Sequence, residues 1–148
     1  MNRAQVEQIL IKRCGKQMVA ADLNGTTYDG TNVDLNDPIG YAIRQCGGTV
    51  ADVTTVTATD VAFISADDHD KFLDIAELRL LENILGNLDD VDITVGPVSE
   101  KLSQLSESIA KRVTRLQAKI EKEHGIGGTT MEAGMITLDF ADHREALE

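Results

Sequence analysis

The segment from Ser65 to Gly125 constrains the fold most, because it contains two strong helical patterns in succession. Ten apolar residues fall between Phe72 and Leu88, which is more than one stripe requires, so this helix is expected to be covered on more than one side. The next pattern, Pro97–His124, is long and charged, with a single narrow stripe formed by Leu102, Leu105, Ile109, Val113, Leu116 and Ile120. This pairing predicts a helical bundle in which the first helix is central.

Two shorter helices are predicted closer to the N-terminus. Asn2 followed by Gln5 is a capping-box pattern, and the apolar face that follows it ends at Gly15. Asp37-Pro38 marks a second helix start, because proline is well tolerated at the first helical position. Gly47-Gly48 is expected to end that helix.

The segments between these helices are predicted as loops. In Lys16–Asn36, the turn dipeptides Asn24-Gly25 and Asp29-Gly30 are expected to bracket a short ribbon. Residues 49–64 are rich in Thr and Val but alternate poorly, so we expect a loop with one short extended piece near Val61–Ile64.

The expected fold is therefore mainly α: a small bundle of about four helices with a long C-terminal helix and an extended C-terminal tail. Residues 1–128 form the helical domain and residues 129–148 the tail. Within the tail, Ile136, Leu138 and Phe140 alternate, which would place them on one side of a strand. The tail is predicted either as a disordered terminus or as a strand added to a neighbouring subunit or partner.

The charge of the chain is strongly acidic but unevenly placed. Fourteen basic residues stand against 25 acidic ones, giving a net charge of −11, which argues against general nucleic-acid binding. Residues 99–124 nevertheless carry six bases and four acids. Four of these bases are spaced to share one helix face: Lys111, Arg115, Lys119 and Lys122. This face is either solvated, with partial ion pairs, or it docks onto an acidic surface such as that of a neighbouring copy.

No group of residues has the spacing of a catalytic, metal or cofactor site. Asp67-Asp68-His69-Asp70 contains metal-binding residue types, but neighbours on a helix point in different directions. Ser65 and Asp68 instead predict a capping box with an acidic first turn. Asp22-Leu23-Asn24 begins like a calcium loop, yet Thr27 and Val33 replace the required Gly and Glu. We therefore predict no enzymatic activity, no metal and no cofactor.

The remaining composition points to a soluble protein made in a cytoplasm. Cys14 and Cys46 are predicted to be reduced, half-buried thiols, since no further ligands have suitable spacing. No apolar run approaches the ~20 residues that span a bilayer, so no membrane interaction is expected.

Four stretches of the chain carry a resemblance to a known family, and they cover most of residues 37–127: Asp37–Arg44, Phe72–Leu88, Val95–Leu102 and Glu123–Gly127. The order of these stretches along the chain, and the residues within them, resemble those of head–tail connector (adaptor) proteins of tailed bacteriophages. These are small, mainly helical proteins that ring the portal and extend the DNA channel. The resemblance lies in the order of these segments along the chain, and no catalytic motif is part of it.

The resemblance implies a homo-oligomeric ring, often a dodecamer, at the head–tail junction of a virion. Its partners would be the phage portal protein and a tail or neck protein, and the protein would be made in the host cytoplasm. Genomic DNA would pass the lumen without specific binding, because acidic walls repel phosphates. The alternative is an acidic adaptor or regulator that acts as a monomer or dimer through the basic face of its last helix.

Overall fold

The computed structural model describes residues 1–91 and 97–125, and side chains in this range outside 89–102. These residues form five α-helices and no strand: α1 Arg3–Ala20, α2 Asn36–Gln45, α3 Ala58–Ala62, α4 His69–Val91 and α5 Pro97–His124. Short 3-10 turns precede α2 and α4. The predicted mainly α bundle with a long last helix is confirmed, with the short α3 as an addition. The tail, residues 129–148, lies outside the described residues.

Helix α4 is the centre of the bundle, as its excess of apolar residues predicted. It packs against α1, α2 and α5. Its fully buried side chains are Phe72, Ala76, Leu80, Leu81, Ile84 and Leu88. Among the described residues, no helix is long and apolar enough to cross a membrane.

Helix α5 packs on α4 through the predicted stripe. Ile109, Leu116 and Ile120 are buried, and Leu105 and Val113 are partly buried against the same core. The helix has 28 residues and is about 42 Å long at ~1.5 Å per residue. It ends where predicted, because Gly125 adopts a φ of +67° and its N–H donates to the Glu121 carbonyl.

Helix α1 continues past its predicted end at Gly15. The Asn2–Gln5 capping box is confirmed, but the helix runs to Ala20. Gly15 lies where the helix meets the following loop: a Cβ there would stand 2.9 Å from the carbonyl oxygen of Gly25. A Cβ on Gly25 would stand 2.2 Å from the carbonyl oxygen of Gly15. The two glycines therefore permit a close approach of two backbones, and Gly15 is not a helix stop.

Helix α2 begins at Asn36, one residue before the predicted Asp37-Pro38 start, and ends where predicted. The N–H of Gly48 donates to the Ile43 carbonyl at 2.9 Å, and the N–H of Gly47 to Arg44 at 3.1 Å. With Gly47 at a φ of +86°, these bonds form a Schellman cap.

The predicted ribbon between α1 and α2 is wrong. The side chain of Asn24 accepts hydrogen bonds from the N–H groups of Thr26 and Thr27, and Asp29 accepts one from Thr31. Short polar side chains thus satisfy the backbone locally, so no strand pairing is needed.

The extended piece near Val61–Ile64 is also wrong, because α3 includes Val61 and Ala62 and the chain turns at Phe63 and Ile64. Thr57 and Asp60 form a reciprocal capping box at its start. The predicted capping box at Ser65 is wrong too. The Ser65 hydroxyl donates to the Asp68 carboxylate at 3.1 Å and makes no backbone cap, so α4 begins only at His69.

Candidate interaction site at the junction of three helices

Two acidic side chains of α4 are buried where α1 and α5 meet it. Asp74 is 3% exposed and Glu77 is 7% exposed. They are three residues apart and therefore lie on the same side of the helix. Buried carboxylates are costly unless bases and hydrogen-bond donors surround them, so their partners define the site.

Glu77 is bound by arginines from both neighbouring helices. The Arg13 guanidinium of α1 lies 2.8 Å from Glu77 Oε2, and that of Arg112 on α5 lies 2.6 Å from Oε1. Arg112 also donates to the backbone carbonyl of Arg13 at 3.2 Å. Two charge-assisted contacts and a backbone bond thus connect three helices at one carboxylate.

Asp74 is bound mainly by residues near the end of α5. Lys119 Nζ is 3.2 Å from Asp74 Oδ2, and His124 Nε2 is 3.1 Å from the same oxygen. Arg13 adds a longer contact of 3.5 Å. We call the whole set the junction network: Arg13, Asp74, Glu77, Arg112, Lys119 and His124. It attaches the C-terminal half of α5 to the rest of the bundle.

The predicted basic face of α5 is divided by this arrangement. Lys119 belongs to the junction network, whereas Lys111 pairs with Glu107 alone among the described side chains, at 3.5 Å, and both side chains are about two-thirds exposed. Such an exposed pair contributes little to stability. Arg115 and Lys122 are exposed and have no ion-pair partner among the residues that the structure describes.

A shallow cleft of about 500 Å³ opens beside the junction network, between α1 and α5. It is lined by Gln17, Glu77, Ser108, Arg112, Arg115, Leu116 and Lys119. This lining contains three bases, Arg112, Arg115 and Lys119, against one acid, Glu77. The surroundings of the cleft are therefore positive in a chain of net charge −11, and they suit an anionic ligand.

Three residues near the end of α5 have the types and spacing of metal ligands. Single ligand atoms of Asp74, Glu123 and His124 lie within 4.8 Å of one another. Lys119 Nζ, however, stands 3.2 Å from Asp74 and 3.9 Å from Glu123. The lysine ammonium already supplies the cation for these carboxylates, so the arrangement is that of an ion-pair cluster.

The two cysteines are free thiols in different environments. Cys14 is fully buried rather than half-buried as predicted, and burial raises its pKa to about 12 although Arg112 lies beside it. Cys46 is half-buried, as predicted, and burial raises its pKa as well. Both groups are therefore poor nucleophiles at neutral pH.

A second ion cluster, the N-terminal hub, lies at the opposite end of α1 and consists of Arg3, Glu7 and Asn32. The Arg3 Nε is 2.9 Å from Glu7 Oε1, and Glu7 is fully buried. The carboxylate also accepts hydrogen bonds from the N–H groups of Gly30 at 2.7 Å and Asn32 at 3.1 Å. Every oxygen of this acid is thus used inside the protein.

The N-terminal hub holds both long loops against α1. The Arg3 guanidinium donates to the carbonyl of Asn32 at 2.8 Å and to that of Val56. The Asn32 amide donates in turn to the carbonyls of Asn24 and Thr27. The loops before α2 and α3 are therefore fixed to α1 by hydrogen bonds between these side chains and the loop backbone.

Several residues of the site were not found by sequence reasoning. Of the junction network, only Lys119 was predicted to lie at an interface. The available indication was the pair Asp74 and Glu77, two acids three apart in a helix whose apolar excess predicts cover on more than one side. The predicted tail residues of the interface, Ile136, Leu138 and Phe140, lie outside the described residues.

Comparison of the chain with protein-family models, with curated proteins and with solved structures gives no match. The resemblance to head–tail connector proteins thus stays a prediction.

Proposed function

We propose that this protein is a structural connector that forms a homo-oligomeric ring at the portal vertex of a tailed-phage virion. The ring joins the capsid portal to the tail and continues the DNA channel. It works by assembly, without catalysis, cofactor or metal, and DNA passes without specific binding.

The two faces of α5 carry the proposal. The inner face is occupied by Ile109, Leu116 and Ile120 and by the junction network, so α5 is fastened to its own bundle. The outer face presents Lys111, Arg115 and Lys122 along a helix about 42 Å long. A long fastened helix with a basic outer face is suited to contact another subunit.

The charge distribution supports contact between identical copies. Any second copy brings a net charge of −11, so the basic face of one subunit meets a mostly acidic neighbour. When the two contacting surfaces of a subunit differ, the contact is heterologous, and repeated contacts of this kind form a ring when the rotation between subunits closes. An acidic channel wall would also repel the phosphates of passing DNA.

The polar groups of the junction support a structural role for the described residues. His124 is bound to Asp74, and the buried carboxylates are bound to bases. The Cys14 thiol is buried beside this network, and its raised pKa keeps it protonated at neutral pH. These groups hold helices together.

The mass of the assembled protein tests the proposal. Native mass spectrometry and light scattering of the full chain, alone and mixed with the portal protein of the same genome, should give a species of many subunits. The same measurement without residues 129–148 reports whether the tail contributes. A chain that stays a monomer or dimer under all these conditions would contradict the connector and favour the acidic adaptor.

Charge reversal then tests the outer face of α5. We expect Lys111→Glu, Arg115→Glu and Lys122→Glu together to weaken assembly at least tenfold and to reduce its dependence on salt. Arg44→Glu is the matched control, since Arg44 is an exposed base on α2. If the triple variant and the control assemble alike across salt concentrations, this face is merely solvated.

A further inference from the structure

The cleft between α1 and α5 contains an arginine, Arg115, that makes no ion pair within the part of the chain that the structure describes. Arg115 is exposed and lies between two bases, Arg112 and Lys119, that are held by α4 carboxylates. Because ion pairs hold Arg112 and Lys119 in place, Arg115 has two positively charged neighbours on α5. A guanidinium in such a position binds a carboxylate well, through two parallel hydrogen bonds.

The chain itself carries an acidic segment suited to this cleft. Residues 129–148 contain five acids and one base, a net charge of −4. Asp139 stands between Leu138 and Phe140, so a carboxylate is flanked directly by apolar side chains. The cleft offers a similar combination, because Leu116, although mostly buried, lines it beside the three bases.

The tail is long enough to reach the cleft of its own chain. Arg115 lies nine residues before His124, or about 14 Å from the end of α5 at ~1.5 Å per residue. The 14 residue-to-residue steps from Gly125 to Asp139 span up to roughly 46 Å when the chain is extended. Gly125 has a φ of +67°, a conformation that turns the chain away from the helix direction. A tethered ligand also has a high effective concentration, which favours the same chain over another.

We propose that in the unassembled protein the acidic tail, residues 129–148, docks into the cleft of its own chain, with a tail carboxylate bound by Arg115. The tail then covers the basic surface of α5 through which copies would meet. The regulatory meaning of this contact, a restraint on premature assembly, rests on the proposed function. The docking itself does not.

Electron spin resonance can measure the docking in the full chain. Nitroxides are attached at Gln104→Cys, on the exposed side of α5, and at Ala146→Cys in the tail, with Cys46→Ser to remove the more accessible native thiol. We expect a narrow distance distribution below the assembly concentration, and its loss at high salt. Arg115→Glu should abolish the narrow component, whereas the matched surface variant Arg44→Glu should keep it.

Dilution with unlabelled protein separates the same chain from a neighbour. A tenfold excess should leave the narrow component unchanged. Its disappearance would show that the tail binds another copy and would overturn the proposal. A broad distribution that is identical in wild type and Arg115→Glu would overturn it as well. The mass measurement is independent: docking without any ring would refute the proposed function alone, and a ring without docking would refute this inference alone.

Discussion

The N-terminal hub and the junction network are both ion clusters to which α1 contributes, but one is closed and the other is open. In the N-terminal hub, Arg3 is 4% exposed and Glu7 fully buried, and their remaining hydrogen bonds go to loop backbone. In the junction network the acids are buried, yet the side chains of Arg13 and Arg112 remain about one-third exposed and that of Lys119 about half exposed.

This difference indicates that the N-terminal hub stabilises the fold, whereas the junction network can also bind a partner. The N-terminal hub balances its charges internally and holds two loops, so it has nothing left for a partner. The junction network and its neighbour Arg115 have more bases than acids and border a cleft. Substitutions in the N-terminal hub should therefore affect stability, whereas substitutions at the edge of the junction should affect binding.

The largest effect is expected from Arg3→Met. It leaves the buried Glu7 charge without its base and two loop carbonyls without a donor. We expect a loss of about 3–5 kcal/mol in the free energy of unfolding. Urea denaturation measures it, with Arg44→Met as the exposed control, for which the change should stay within about 0.5 kcal/mol. A small effect in Arg3→Met would remove the distinction between a closed and an open cluster.

A smaller loss is expected from Glu77→Ala at the junction. The arginines that lose this partner are partly exposed and regain water, so we expect about 1.5–3 kcal/mol. Amide hydrogen exchange should also show reduced protection in the second half of α5, where Arg112 and Lys119 lie. Equal losses in this variant and in Arg3→Met would mean that both clusters are equally closed.

The buried thiol at the junction should make stability fall at high pH. The native state holds the Cys14 proton up to a pKa of about 12, while the unfolded thiol loses it near 9.0. The raised pKa thus contributes stability below pH 9 that is lost as the pH rises toward 12. We expect this group to account for about 1 kcal/mol of lost stability between pH 9 and 10. Cys14→Ala should show a shallower slope in pH-dependent denaturation, and an unchanged slope would contradict the assignment.

The smallest effect is expected at the exposed pair of Asp37 and Arg79. The Arg79 guanidinium, 2.9 Å from Asp37, lowers the pKa of that carboxyl, with help from the Asn83 amide. The contribution of this pair to the free energy of unfolding is present above the ordinary carboxyl pKa and is lost as the pH falls through the lowered pKa of Asp37. Asp37→Asn should cost about 0.2–1 kcal/mol at neutral pH. The difference from wild type should vanish in acid, as thermal denaturation at both pH values would show.

The sequence predicted what depends on neighbouring residues along the chain. The apolar excess of Phe72–Leu88 identified the central helix, and Gly47-Gly48 and Gly125 identified two helix ends, because these patterns act locally. The same local rule failed at Gly15. Gly15 approaches Gly25 closely because the loop after α1 folds back onto the helix. The periodicity of apolar residues in a helix carries no information about the path of such a loop.

The candidate site depended still more on distant contacts. Arg112 and Glu77 are 35 residues apart, and the N-terminal hub joins Arg3 to Val56 across 53 residues. Their helical spacing puts Lys111, Arg115, Lys119 and Lys122 toward one side of α5. Only the position of α4 decides that Lys119 is bound internally while Arg115 stays exposed.

Electron microscopy of the full chain mixed with the portal protein of the same genome tests the central claim most directly. Because the protein is proposed to work by assembly, class averages should show a rotationally symmetric ring of this chain seated on the portal ring. The helices of each subunit should be arranged as α1, α4 and α5 are here. Portal rings that remain bare, or that carry isolated single copies, would contradict the account.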